Sequence, residues 1–206
     1  MTWLNWAGNQ RSDPARTVRA HDTGDVVEAV TAAAREGLRV KALGSGHSFT
    51  AISVPDGVAV LPPSDPALLR VDRATGRVGV PAGMTLHTLN DLLWLHGLAL
   101  PNLGDIDAQT LAGAVSTGTH GTGAGFPGLA AQVVGARIVL ADGSVLDCSA
   151  GHEPQLFSVA RLGLGAFGVL TELTLQAVPA FRLRAVETAL PLDAVGREEL
   201  LGAECA

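Results

Sequence analysis

The sequence predicts a mixed α+β fold, and three observations predict it. Apolar residues recur at helical spacing in two segments and at strand spacing in several others. Asp142-Gly143 lies between two apolar runs and is a strong antiparallel hairpin signal. The order of elements departs from the strict strand–helix alternation of a parallel α/β sheet. Apolar residues make up 47% of the chain, enough for a dry core. At 206 residues the chain exceeds the common domain size of roughly 100 to 150, so one large domain and two small subdomains both fit.

The first unit reads β-α-β. Thr17–Ala20 is short and partly β-branched, and Asp22 is placed to cap a helix whose apolar stripe is Val26, Ala29, Val30 and Ala33. Gly37 ends that helix, and Leu38–Leu43 is a strand leading into Gly44-Ser45-Gly46. Val58–Leu61, Leu68–Val71 and Arg77–Val80 read as strands, the last two joined by the turn Arg73-Ala74-Thr75-Gly76. Leu86, Leu89, Leu92 and Leu93 form an amphipathic helix that Gly97 terminates. Asn102–Ala108 is irregular, and the small apolar run Thr110–Val115 leads into a second glycine loop, STGTHGTG, from Ser116 to Gly123. Val133–Leu140 and Val145–Cys148 flank the Asp142-Gly143 turn. Pro154 opens a helix ending near Arg161. Val169–Ala177 alternates, with Val169, Thr171, Leu173 and Leu175 on one face. From Phe181 another extended run begins, and the chain stops within GREELLGAECA, which has no core pattern.

A formal net charge of −6 without a Lys/Arg cluster argues against nucleic acid as a partner. Two cysteines in a long chain, with no basic and apolar leader in MTWLNWAGNQ, point to a reducing, cytoplasmic location. No apolar run approaches the ~20 residues of a transmembrane helix, so membrane association would be peripheral. The six histidines are scattered without metal-ligand spacing, so no metal site is expected.

Gly163 to Gly168 satisfies GxGxxG, but a helix precedes it and a strand follows, the reverse of a dinucleotide fingerprint. It reads as a tight helix-to-strand turn. Ser45 lacks the GxSxG setting of a hydrolase elbow. Gly44-Ser45-Gly46-His47-Ser48 has a different use: glycines let successive amides converge on an anion, and the serines add hydroxyls. His47 alone is equally readable as a turn residue or as a functional group. The second loop repeats the chemistry of small residues, hydroxyls and one histidine, so a large polyphosphate cofactor fits better than a single anion. His120 reads as a hydrogen-bonded loop residue, and Trp3, Trp6 and Trp94 as packing residues.

With both loops in view, the chain resembles the flavin-binding half of the sugar-1,4-lactone oxidase and alditol oxidase family of vanillyl-alcohol-oxidase-like flavoproteins. It is similar above all to gulono- and arabinono-1,4-lactone oxidases or dehydrogenases. The resemblance runs from Trp3 to about Pro179, through the NW start, VKALGSGHSFT, GDIDAQTLAGAVSTGTHGTG and LGAFGVLTELTLQ. It implies a PCMH-type FAD-binding fold of two α+β subdomains, about 1–62 and 63–180. It further implies FAD bound covalently through His47, with Ala42, Leu43, Gly44, Ser45, Gly46, His47 and Ser48 lining the pyrophosphate. Asp105, Thr110, Gly113, Ala114, Val115, Ser116 and Thr117 would line the rest of the cofactor, and the Val169 backbone its adenine end. Asp105 departs from the pattern, since some relatives carry a hydroxyl residue there.

The implied reaction is oxidation of a CH–OH group in a sugar lactone or polyol, with electrons passing to oxygen or another acceptor. The family's substrate-binding second domain has no counterpart, so 181–206 is expected to be the start of a truncated substrate domain. No catalytic residue is assigned. The competing expectations are an inactive flavin-binding module and an oxidase of alditols or other alcohols with the same flavin half.

Overall fold

The structure is a computed structural model describing residues 2–123, 125–185, 187 and 189. The expected start of a further domain over 181–206 falls mostly outside the described residues. The α+β expectation holds, with helices and mixed sheets in the predicted order.

A short hairpin, β1 (Trp3–Leu4) with β2 (Arg11–Ser12), opens the chain. Then β3 (Arg16–Arg19), α1 (Thr23–Arg35), β4 (Val40–Ala42) and β5 (Val58–Leu61) form a parallel sheet in the order β3-β5-β4. The Asp22 carboxylate accepts the Asp25 N–H at 3.0 Å, while Asp25 accepts the His21 N–H at 2.7 Å. The first bond satisfies a donor that the opening helical turn leaves free, and the second ties down the residue before the cap. The helix stripe Val26, Ala29, Val30 and Ala33 is buried on Val58 and Val60, as its spacing predicts.

The second part is antiparallel. It comprises β6 (Arg70–Asp72), β7 (Arg77–Pro81), α2 (Leu86–Leu95), β8 (Leu98–Ala99), α3 (Leu111–Ser116), α4 (Leu129–Gln132), β9 (Val133–Val139) and β10 (Val145–Ser149). These are followed by α5 (Pro154–Ala160), β11 (Val169–Gln176) and β12 (Val178–Pro179). Five strands align as β10-β9-β11-β7-β6, and β12 pairs with β8. The latest of the five in sequence, β11, occupies the middle, with Leu173 opposite Val80 on one side and Ala136 on the other. Leu173 and Leu175 are fully buried against α2 and α3 residues such as Leu89 and Leu111. Each such side chain contributes about 1.5–3 kcal/mol by leaving water.

The two sheets share a boundary. Val139 of β9 and Val169 of β11 belong to the apolar cluster beneath α1, so α1 packs on both sheets. The β9–β10 turn touches the same helix: a Cβ on Gly143 would lie 2.4 Å from Thr31 Cγ2. The loops leaving β4 and entering α3 therefore meet at fixed separation. No helix among the described residues is long and apolar enough to cross a membrane.

Candidate functional site

A cavity of about 290 Å³ lies at that meeting point. Lys41–Ser48, Ile52, Ser53 and Pro62 come from the parallel part; Gln109, Thr110, Ala112, Gly113, Ser116 and Thr117 come from the approach to α3 and its C-terminal turn. Leu164, Gly165, Gly168 and Leu170 close a third side.

The first loop begins where the ladder stops. Leu43 N–H donates to Val60 O at 2.8 Å, but among the described residues none of the amides from Gly44 to Ser48 has a protein acceptor. Free backbone donors beside a cavity are satisfied by water or by a ligand rich in acceptors. The loop is nonetheless held firmly from behind. The Ser45 hydroxyl donates to Ala108 O at 2.6 Å, Trp6 N–H donates to Gly46 O at 2.8 Å, and Asn5 Nδ2 donates to Ser48 O at 3.0 Å.

Glycine is required where the two loops touch. A Cβ on Gly44 would stand 2.6 Å from Thr110 Oγ1 and 3.6 Å from Gly113 Cα; one on Gly113 would stand 2.8 Å from the same hydroxyl. That hydroxyl is already committed, accepting the Gly113 N–H at 3.3 Å as the cap of α3. Thr117 donates back to Gly113 O at 3.0 Å. Beyond α3, His120 Nδ1–H donates to the Gly121 carbonyl at 2.8 Å, so His120 is a hydrogen-bonded loop residue that does not line the cavity.

The structure brings Ala42, Leu43, Gly44, Ser45, Gly46, His47, Ser48, Thr110, Gly113, Ser116 and Thr117 to the cavity wall. It places four expected site residues elsewhere. Ala114 and Val115 are fully buried and face the core instead, because the other side of α3 carries the cavity residues. Asp105 is exposed, without a side-chain hydrogen bond among the described residues. Val169 is buried beneath α1 and borders a neighbouring groove of about 460 Å³, which shares Ala42, Gly165 and Gly168 with the cavity.

Sequence reasoning missed three contributors. Lys41 stands in a strand without a motif of its own, yet among the described residues no carboxylate lines the cavity and Lys41 is its one lysine or arginine. Ser53 lies on a short 3₁₀ turn, its Oγ buried and without a partner among the described residues. Gly163–Gly168 is a helix-to-strand turn between α5 and β11, as expected, and it is also a wall of the site. Leu164 at φ 52° and Gly165 at φ 77° are left-handed there, which for leucine is a strained conformation.

Trp6 and Trp94 do not pack in a core, being 67% and 51% exposed, and the Trp6 indole stacks on the His47 imidazole with centroids 5.2 Å apart and planes 17° from parallel.

The approach to α3 is fixed from α2. Leu86 N–H donates to Gln109 O and His87 N–H to Asp107 O, both at 2.9 Å. His87 Nδ1 donates to the Asp107 carboxylate at 2.8 Å, and that bond, then the charges of Asp107 and Asp91, raises the imidazole above its ordinary range.

Amides, hydroxyls and one ammonium without an opposing carboxylate suit a ligand with several anionic oxygens. The close approach of Gly44 to Gly113 around the Thr110 hydroxyl brings the two segments together at the cavity wall. These features fit a diphosphate-bearing cofactor.

Comparisons with known proteins agree with that chemistry. A family described as FAD binding domain matches residues 14–149. An L-gulono-1,4-lactone dehydrogenase of Mycobacterium tuberculosis is 42% identical over 181 residues, covering 88% of this chain and 42% of its own. L-Gulonolactone oxidase of Mus musculus is 38% identical over 187 residues, covering 91% and 42%. The solved structure of Physcomitrella patens BBE-like 1 superposes with a TM-score of 0.75 at 25% identity, over 85% of this chain and 39% of that one. The chain thus spans about two fifths of the length of the curated relatives it matches.

Proposed function

The chain belongs to the FAD binding domain family, and from that premise we propose that it is the flavin-holding part of a sugar-1,4-lactone oxidoreductase of the gulono- or arabinono-1,4-lactone type. The observation that carries the reading is the cavity between the Gly44–Ser48 loop and the 109–117 segment, with the five consecutive amides from Gly44 to Ser48 lacking a protein acceptor among the described residues. When bound there, FAD would supply the acceptor for a hydride from the carbon bearing the substrate hydroxyl, with oxygen or another acceptor proposed to take the electrons onward.

The protein's own residues bind and orient. Ala42 to Ser48 would cradle the diphosphate, with Lys41 offsetting its charge. Thr110, Gly113, Ser116 and Thr117 would line the remainder, and Leu164 and Leu170 would keep water from one side. His47 is proposed as the covalent anchor, an imidazole nitrogen joining the methyl carbon beside the flavin's benzenoid edge. The imidazole would give up its N–H proton on joining that carbon, and the bound flavin would itself be the two-electron oxidant, so no external oxidant would be needed. A cytoplasmic location belongs to the same proposal, in keeping with the free, buried Cys148.

The test is the absorption spectrum of the purified chain, followed by a denaturing gel. A flavin band in solution and in-gel fluorescence that disappears in His47→Ala are expected. A colourless chain that takes up no added FAD would sink the reading.

A further inference from the structure

Resting on the proposed role of His47, we infer that the N-terminal hairpin is a positioning clamp for that histidine, with Trp6 as the residue that sets its ring. A histidine carried by a glycine loop is poorly fixed by its own backbone: Gly46 sits at φ 72°, and ordering such a loop costs conformational entropy. Here the restraint comes from a segment some forty residues earlier. Trp6 N–H holds Gly46 O, and Asn5 Nδ2 holds Ser48 O, so the residues on both sides of His47 are fixed. Asn5 is 4% exposed and its Oδ1 accepts the Gln10 N–H at 2.9 Å, locking the hairpin that presents it.

The indole completes the device. A tryptophan serving only as core would be buried, whereas Trp6 lies on the outside and spends one face on the His47 ring. Phe49 meets it edge-on at a centroid distance of 6.2 Å and limits its swing. His47 thus lines the cavity with one ring face covered by indole, which removes rotamers that a bare loop histidine would sample. Pre-set geometry of this kind helps any reaction at the ring.

The experiment uses the full chain as wild type, Trp6→Ala, Trp6→Phe and, as a remote control, Trp94→Ala. Flavin-free protein is treated with diethyl pyrocarbonate, and labelling of His47 is followed by peptide mass spectrometry with exposed His120 as internal reference. We expect several-fold faster labelling of His47 in Trp6→Ala and wild-type rates in Trp6→Phe and Trp94→Ala. In protein given FAD, Trp6→Ala should bind as much flavin in total but retain several-fold less after acid denaturation. Unchanged labelling in Trp6→Ala overturns the clamp. If that variant does not fold, Trp6→Leu, which keeps apolar bulk but not the flat ring, answers the same question. If even the wild type retains no flavin in acid, the covalent anchor fails, and the labelling result alone decides the clamp.

Discussion

Lys41 carries a prediction that the glycine pattern alone would not suggest. Among the described residues it is the one lysine or arginine on a cavity that no carboxylate lines, in a chain of net charge −6. Lys41→Gln should therefore weaken FAD binding, measured by quenching of flavin fluorescence, by about tenfold, or ~1.4 kcal/mol. Added salt should weaken the wild type more than the variant. His87 makes a pH prediction. Its Asp107 partner raises the folded pKa, so its contribution is fully present below the unfolded value of roughly 6.5 and is lost as pH rises through the higher folded value. Amide protection factors over 102–109, corrected for the intrinsic rise of exchange with pH, should fall across that interval, and Asp107→Asn should remove that fall.

At the scale of elements, β11 is central in both senses. Leu173 is fully buried between β7 and β9, so Leu173→Ala should cost about 2–5 kcal/mol, read from the denaturant midpoint. Gly168, at φ 144° with a Cβ position 2.3 Å from Val139 O, should tolerate alanine poorly, losing roughly 1–3 kcal/mol in the same measurement. Elements with local signals were legible. The Asp22 cap and Val26-Ala29-Val30-Ala33 stripe gave α1, and Asp142-Gly143 gave the β9–β10 hairpin. The β1–β2 hairpin was not, because strands of two residues carry no periodicity. The insertion of β11 between β7 and β9 is a long-range pairing invisible to windows. In the site, loop chemistry marked Gly44–Ser48 and Ser116–Thr117, but which face of α3 turned inward depended on packing, and Ala114 and Val115 went to the core. The Trp6 stack could not be read from a sequence separation of forty-one residues.

At the scale of the molecule, α1 packs on both sheets and the loops interlock at Gly44 and Gly113. Unfolding should be cooperative: urea transitions followed by tryptophan fluorescence and by far-UV circular dichroism should coincide, since Trp3 and Trp6 report one part and Trp94 the other. Two separated transitions would show that the parts unfold independently. Adding FAD should move the single transition upward by mass action, because the cavity exists only when both parts are folded. The turn from Gly165 to Gly168 is a partition between the cavity and its neighbouring groove. Gly168 leans on the Val139 backbone and the Ile138 side chain, so the same short stretch of chain that walls the cavity is anchored to the central sheet on its far side.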